Sequence, residues 1–208
     1  MTELQRLLDF ARAVTHEAGR LTLGHFARST EVIQKADGSP VTVADRDAEA
    51  LILLREDRTV VGVVNAPALG EQLSAADGLG ATLNGRPARV STVARVEDAV
   101  LLATDHRDLE SKAPRPGWRA LHDNAQFTRS WGDAYGHLLV ATGRAEIMLD
   151  PIVAPSDVAC LPVILREAGG AFFSWGGEET IFARNAITVN KALEGAVREA
   201  LGLPGASA

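Results

Sequence analysis

Apolar residues near the start of the chain recur at helical spacing: Leu4, Leu7, Leu8, Ala11, Val14, Ala18 and Leu21, with charges between them. This pattern predicts a long amphipathic helix from about Glu3 to Phe26. The polar run Gln34 to Pro40 that follows reads as an exposed loop. Thr42-Val-Ala-Asp45 is close to a capping box and predicts a second helix running through Ala48, Leu51 and Ile52. Leu51–Leu54 also fits a buried strand, and Thr59–Val64 is a good one. A hairpin of these two around residues 55–58 is the better local fit. The helix would then end near Ala50 with no Gly, Pro or Asn to terminate it. Two patterns collide at Ala48–Leu51, and we treat that point as a seam.

Beyond the seam, Ala81 to Val90 reads as two short strands around the Asn84-Gly85 turn. Val100–Thr104 reads as a buried strand, and Ser111–Gly117, with two prolines, as a loop and a subdomain boundary. Asp133–Thr142 predicts a helix ended by Gly143, and Ala145–Leu149 a strand. Asp157–Ala168 predicts a helix stopped by Gly169-Gly170, with irregular first turns because a proline inside a regular helix costs about 3 kcal/mol. Strands near Ala171–Ser174 and Ala186–Val189 and a closing helix, Lys191–Leu201, complete a mixed α/β pattern. The expected organisation is an N-terminal α/β subdomain over residues 1–110 and a C-terminal one over 111–208, joined as one compact unit.

Composition narrows the class. The 208 residues are 46% apolar and 23% charged, which excludes a disordered or fibrous chain. A net charge of −6 with no basic run argues against a nucleic-acid polymer as partner. No apolar run is long enough to span a bilayer, and the single cysteine, Cys160, fits a reducing cytoplasm. The five histidines show no ligand spacing and are expected at surfaces or interfaces. What remains is a set of carboxylates at element ends: Asp45, Asp133, Asp150 and Asp157. Carboxylates there either cap free amides or gather a hard cation such as Mg²⁺, and composition does not choose between the two.

Three separated blocks carry a resemblance. Asp150 to Gly170, with Asp157 opening a helix that ends Glu-Ala-Gly-Gly, resembles the C-terminal signature of the inositol monophosphatase family. Asp37-Gly-Ser-Pro40-Val-Thr42-Val-Ala-Asp45 is similar to that family's N-terminal stretch. Trp131-Gly132-Asp133-Ala134-Tyr135-Gly136 is most like its histidinol-phosphate phosphatase branch. The resemblance implies a layered αβαβα sandwich and Mg²⁺-dependent hydrolysis of a small phosphorylated metabolite. Histidinol phosphate is the first expectation; inositol monophosphatase and nucleotide 3′-phosphatase activities are the alternatives. It implies Asp157 as a metal ligand and Asp45 as a catalytic residue that helps organise the metal-bound water. It implies Gly132, Asp133 and Asp150 as substrate-binding positions, and a cytoplasmic homodimer serving histidine biosynthesis.

The same resemblance marks a gap. The family places a Gly-Glu-Glu glutamate and an Asp-Pro-x-Asp-Gly-Thr block between the second helix and the strand that is here Leu51–Leu54. Neither stands there in this chain, and the gap falls at the seam. Ser156 also replaces the family's tryptophan. If the missing block is a true deletion, the chain is expected to be a catalytically inactive family member. If it is an omission, the complete protein is expected to be the phosphatase.

Overall fold

The computed structural model describes residues 2–25, 32–34, 40–42, 52–55 and 58–205. Helix α1 (Glu3–His25) leads into a small hairpin of β1 (Val32–Gln34) and β2 (Pro40–Thr42). A first sheet follows, an antiparallel meander of β3 (Ile52–Arg55), β4 (Arg58–Ala66), β5 (Glu71–Ala76), β6 (Gly80–Leu83) and β7 (Arg86–Pro87). The second sheet has the order β11-β12-β10-β8-β9, built from β8 (Val100–Ala103), β9 (Phe127–Ser130), β10 (Ile147–Asp150), β11 (Gly170–Phe173) and β12 (Ala186–Asn190). Strands β8, β9 and β10 run parallel to one another, whereas β11 and β12 are antiparallel additions. Helices α2 (His106–Lys112), α3 (Trp118–Asn124), α4 (Asp133–Ala141), α5 (Pro155–Val158), α6 (Leu161–Ala168) and α7 (Glu194–Ala200) complete the fold.

These elements stack in five layers. Leu8 and Ala11 of α1 cover Val60, Val61, Val63 and Ala76 on the outer face of the first sheet. The inner face, through Val64, Leu73, Ala75 and Ala81, meets α4 and α6, whose other sides meet Leu102, Met148 and Phe172 of the second sheet. The far face of that sheet, Leu101, Ile147, Leu149, Ile187 and Val189, is covered by Leu109, Trp118, Leu121, Leu193 and Val197. Covered sheets explain why β4 reads as a continuous apolar run rather than an alternating one. The expected αβαβα sandwich is the observed architecture.

Two glycines set close approaches in these layers. A Cβ at Gly19 would lie 2.3 Å from Asn65 Nδ2, so glycine lets α1 reach the end of β4. A Cβ at Gly62 would lie 2.5 Å from the carbonyl oxygen of Cys160, where α5 gives way to α6. Pro162 falls in the first turn of α6, where a missing N–H costs nothing, so the expected irregular helix is two helices with a break.

Several expectations need correction. Thr42 is a strand residue and Ile52 begins β3, because both pair along a hairpin rather than continuing a helix. The rest of the expected second helix, including Asp45, lies outside the described residues, as do Phe26 and residues 35–39. Ser111 and Lys112 belong to α2, whose Asp105 carboxylate accepts a hydrogen bond from the Arg107 amide and caps the helix. The change from first to second sheet falls between Pro87 and Val100.

Candidate functional site

Parallel strands leave their carboxyl ends open for ligands, since the helices that follow turn back across the sheet. Here those ends belong to β8, β9 and β10, and the chain gathers polar groups at all three. Thr104 follows β8, Trp131-Gly132 follows β9, and Asp150 ends β10. The Trp131 amide donates to the carbonyl of Ala103, which draws the β9 exit against that of β8. A Cβ at Gly132 would lie 2.9 Å from the Thr104 methyl, so glycine is required where α4 starts. A Cβ at Gly136 would meet the Trp131 carbonyl oxygen at 2.6 Å, which holds the first turn of α4 close to that exit.

Asp150 lies inside this junction, 2% exposed. Its Oδ1 accepts from Thr104 Oγ1 at 2.5 Å and its Oδ2 from His137 Nε2 at 3.2 Å. His137 Nδ1 lies 2.9 Å from Thr188 Oγ1 on β12. Because a carboxylate only accepts, Nε2 carries a proton and donates to Asp150, and the threonine hydroxyl pairs with Nδ1 from the other side. The indole Nε1 of Trp175 donates to the Asp150 carbonyl. The expectation that every histidine lies at a surface or interface therefore fails for His137, which is 1% exposed. It shares the inward stripe of α4 with Leu138 and Ala141, and its two nitrogens are satisfied by Asp150 and Thr188. Helical spacing from those two residues was the available signal.

Asp157 occupies a different setting. It is exposed on the four-residue α5, where its Oδ2 accepts from the Ala154 amide and its Oδ1 from Ser156 Oγ. It lines a cavity of about 150 Å³ shared with Thr15, Gly19, Asn65, Ala134 and Cys160. The structure thus brings Asp157 and the first turn of α4 to one cavity, while the Asp150 carboxylate faces the junction behind it. Asp133 begins α4, but its side chain is outside what the structure describes, and Asp45 lies outside the described residues entirely. Burial pushes the Cys160 thiol up to about 12, so it is a neutral wall of the cavity rather than a nucleophile.

These donors do not fit a catalytic Mg²⁺. Among the described residues, Asp157 is the one carboxylate on the cavity wall, and no group of three or more His, Cys, Asp or Glu side chains is placed to hold a metal. A two-metal clamp on the attacking and leaving oxygens needs several shared carboxylates. A single exposed aspartate already engaged by a backbone amide does not supply them.

Comparison with known proteins agrees with the geometry. A model of the inositol monophosphatase family matches residues 51–202, beginning at the seam. Histidinol-phosphatase of Chlorobaculum parvum is 32% identical over 240 aligned positions, covering 89% of this chain and 93% of that protein. Those 240 positions exceed the 208 residues available, so the relative carries residues with no counterpart here. Histidinol-phosphatase of Mycobacterium tuberculosis is 34% identical over 148 positions, covering 69% of this chain and 57% of that protein. The solved structure of the Thermotoga maritima IMPase superposes with a TM-score of 0.84 at 24% identity, covering 95% of this chain and 97% of that one.

Proposed function

Because the chain belongs to the inositol monophosphatase family, we propose that it carries the substrate-binding side of a phosphomonoesterase acting on histidinol phosphate, and that in its 208-residue form it binds without hydrolysing. One observation carries this reading. A relative that is 32% identical and aligns along most of both chains is a histidinol-phosphatase, and it holds residues that this chain lacks. The match of the family model from residue 51 onward supports placing the missing residues at the seam.

The residues present support the division of labour. Gly132 shapes the turn into α4, and Asp150 is held rigidly at the end of β10 by Thr104 and His137. The glycine opens space at the strand exits, and the buried carboxylate orients the groups in front of it. Asp157 would be one ligand of the Mg²⁺ used by the complete protein, and Asp45 would lie on its water side. No hydrolytic step is assigned to the chain as it stands, since the carboxylates among the described residues do not fit that metal. Inositol monophosphate and nucleotide 3′-phosphates are the competing substrates. The same reading carries a cytoplasmic, homodimeric enzyme of histidine biosynthesis; no helix among the described residues is long and apolar enough to cross a membrane.

A graft tests this. The residues of the Chlorobaculum protein that have no counterpart are inserted between Ala50 and Leu51, and phosphate release is followed with and without Mg²⁺. The 208-residue chain is expected to stay at background on every substrate. The graft is expected to gain Mg²⁺-dependent release, fastest on histidinol phosphate. Turnover by the ungrafted chain, or a graft that prefers inositol phosphate, would sink the reading.

A further inference from the structure

The Asp150 carboxylate is closed to solvent, with each oxygen already accepting a hydrogen bond from inside the protein. Its outward neighbour, Thr104, is exposed. From the 2.5 Å hydrogen bond between them we infer that Thr104 is the specificity-determining residue of this site, reading a nitrogen donor on the ligand on behalf of the buried Asp150. The inference rests on the functional reading above and names which atom performs the recognition.

A hydroxyl has one proton to give and two lone pairs. The proton of Thr104 is committed inward to Asp150 Oδ1, so toward solvent this oxygen offers acceptor capacity alone. The threonine methyl lies where a Cβ on Gly132 would be 2.9 Å away, and the hydroxyl oxygen meets the carboxylate. The carboxylate is fixed in turn, because His137 donates to Oδ2 while Thr188 holds the other ring nitrogen. A chain of hydrogen bonds ending on a carboxylate polarises each member, which makes the outer oxygen a stronger acceptor for N–H groups. A ligand N–H on a cationic group gains most from such an acceptor. An ammonium or imidazolium is that group; a sugar-like hydroxyl gains less because its own dipole is weaker and it carries no charge.

Asp150 is therefore a positioning residue here, acting through Thr104. The amide of Asp150→Asn would keep the shape and, with its N–H aimed at Thr104, turn the threonine proton outward. The same oxygen would then present a donor, and a cation would be repelled where it had been welcomed.

The test is an NMR titration of the 208-residue chain with L-histidinol and, separately, with myo-inositol. Thr104→Val removes the hydroxyl at constant shape and is expected to weaken histidinol about tenfold and inositol less than about twofold. Thr104→Ser keeps the hydroxyl and should retain histidinol binding, which separates recognition from a packing defect. Asp150→Asn should lower the histidinol-to-inositol affinity ratio as Thr104→Val does. Equal losses on both probes, an unchanged ratio, or no histidinol binding by the unaltered chain would overturn the inference. The functional reading is judged apart from it, by the graft's preference for histidinol phosphate.

Discussion

Asp150 and Asp157 stand seven positions apart in the sequence and in opposite circumstances in the fold. Asp150 sits at the end of a parallel strand, closed off from water, with Thr104 at the β8 exit and His137 of α4 completing its carboxylate hydrogen bonds and Thr188 of β12 holding His137. Asp157 sits on a short exposed helix, its oxygens held by its own turn, facing a cavity that brings no second carboxylate among the described residues. The contrast locates what the chain lacks. Among the described residues, those after the seam bring their partners to Asp150, and none brings a second carboxylate to Asp157. On the proposed reading, the partners that Asp157 needs belong to the residues of the Chlorobaculum relative that have no counterpart here.

The contrast can be broken first at its strong end. Asp150→Ala strands the buried His137 N–H without an acceptor, while the exposed Thr104 hydroxyl turns to water. We expect urea unfolding to show a loss of about 2 kcal/mol. A loss below about 1 kcal/mol would mean that water or rearrangement satisfies the histidine donor, and the closed chain described above would be wrong.

Glu71 supplies the intermediate case. Arg144 grips it through two hydrogen bonds of 2.8 Å, and the Tyr135 hydroxyl adds a third at 3.2 Å. The hydrogen bonds from Arg144, then its charge and the Tyr135 hydroxyl, outweigh partial burial and hold the carboxyl below its ordinary 4.5. A carboxyl depressed in the folded state stabilises that state at neutral pH, and the contribution is lost as pH falls from about 4.5 through the folded value. Arg144 is 37% exposed, so screening keeps the effect to about 0.5–1 kcal/mol. Thermal melts of Glu71→Gln should show a shallower loss of stability over that acid range than the parent chain; identical slopes would discard the assignment.

The weak end is Asp157→Asn in the 208-residue chain. Asparagine caps a helix about as well as aspartate, so stability should move by less than about 0.5 kcal/mol. Mg²⁺ should raise the melting temperature of neither form. A Mg²⁺-dependent stabilisation that vanishes with Asp157→Asn would reveal further ligands beside it and erase the contrast with Asp150.

Much of this was legible from the residues. The spacing from Leu4 to Leu21, the Val60–Val64 run and the Asn84-Gly85 turn gave α1, β4 and the β6–β7 hairpin, because each depends on local periodicity or backbone geometry. The positive φ values of Asn84 and Gly85, 50° and 76°, are those the turn requires. Helices α2 and α3 were missed because two prolines and a charged, polar surface masked two short helices that are stabilised by Leu109, Trp118 and Leu121 packing on the second sheet. His137 was missed for a related reason. A polar residue inside a helix looks solvent-facing until its partners, here Asp150 and Thr188 from two different strands, are brought to it by tertiary structure.

The middle helix layer also sets a schedule for synthesis. The first sheet is a meander of consecutive strands, so its hairpins can close as soon as they leave the ribosome. Its inner face, carried by Val64, Leu73 and Ala75, waits for α6, which lies more than eighty residues downstream. At about 5–20 residues per second, the nascent chain displays that apolar face for on the order of ten seconds. A ribosome-associated chaperone that shields apolar surface would meet this protein there, on a sheet whose inner cover is translated long after its own strands.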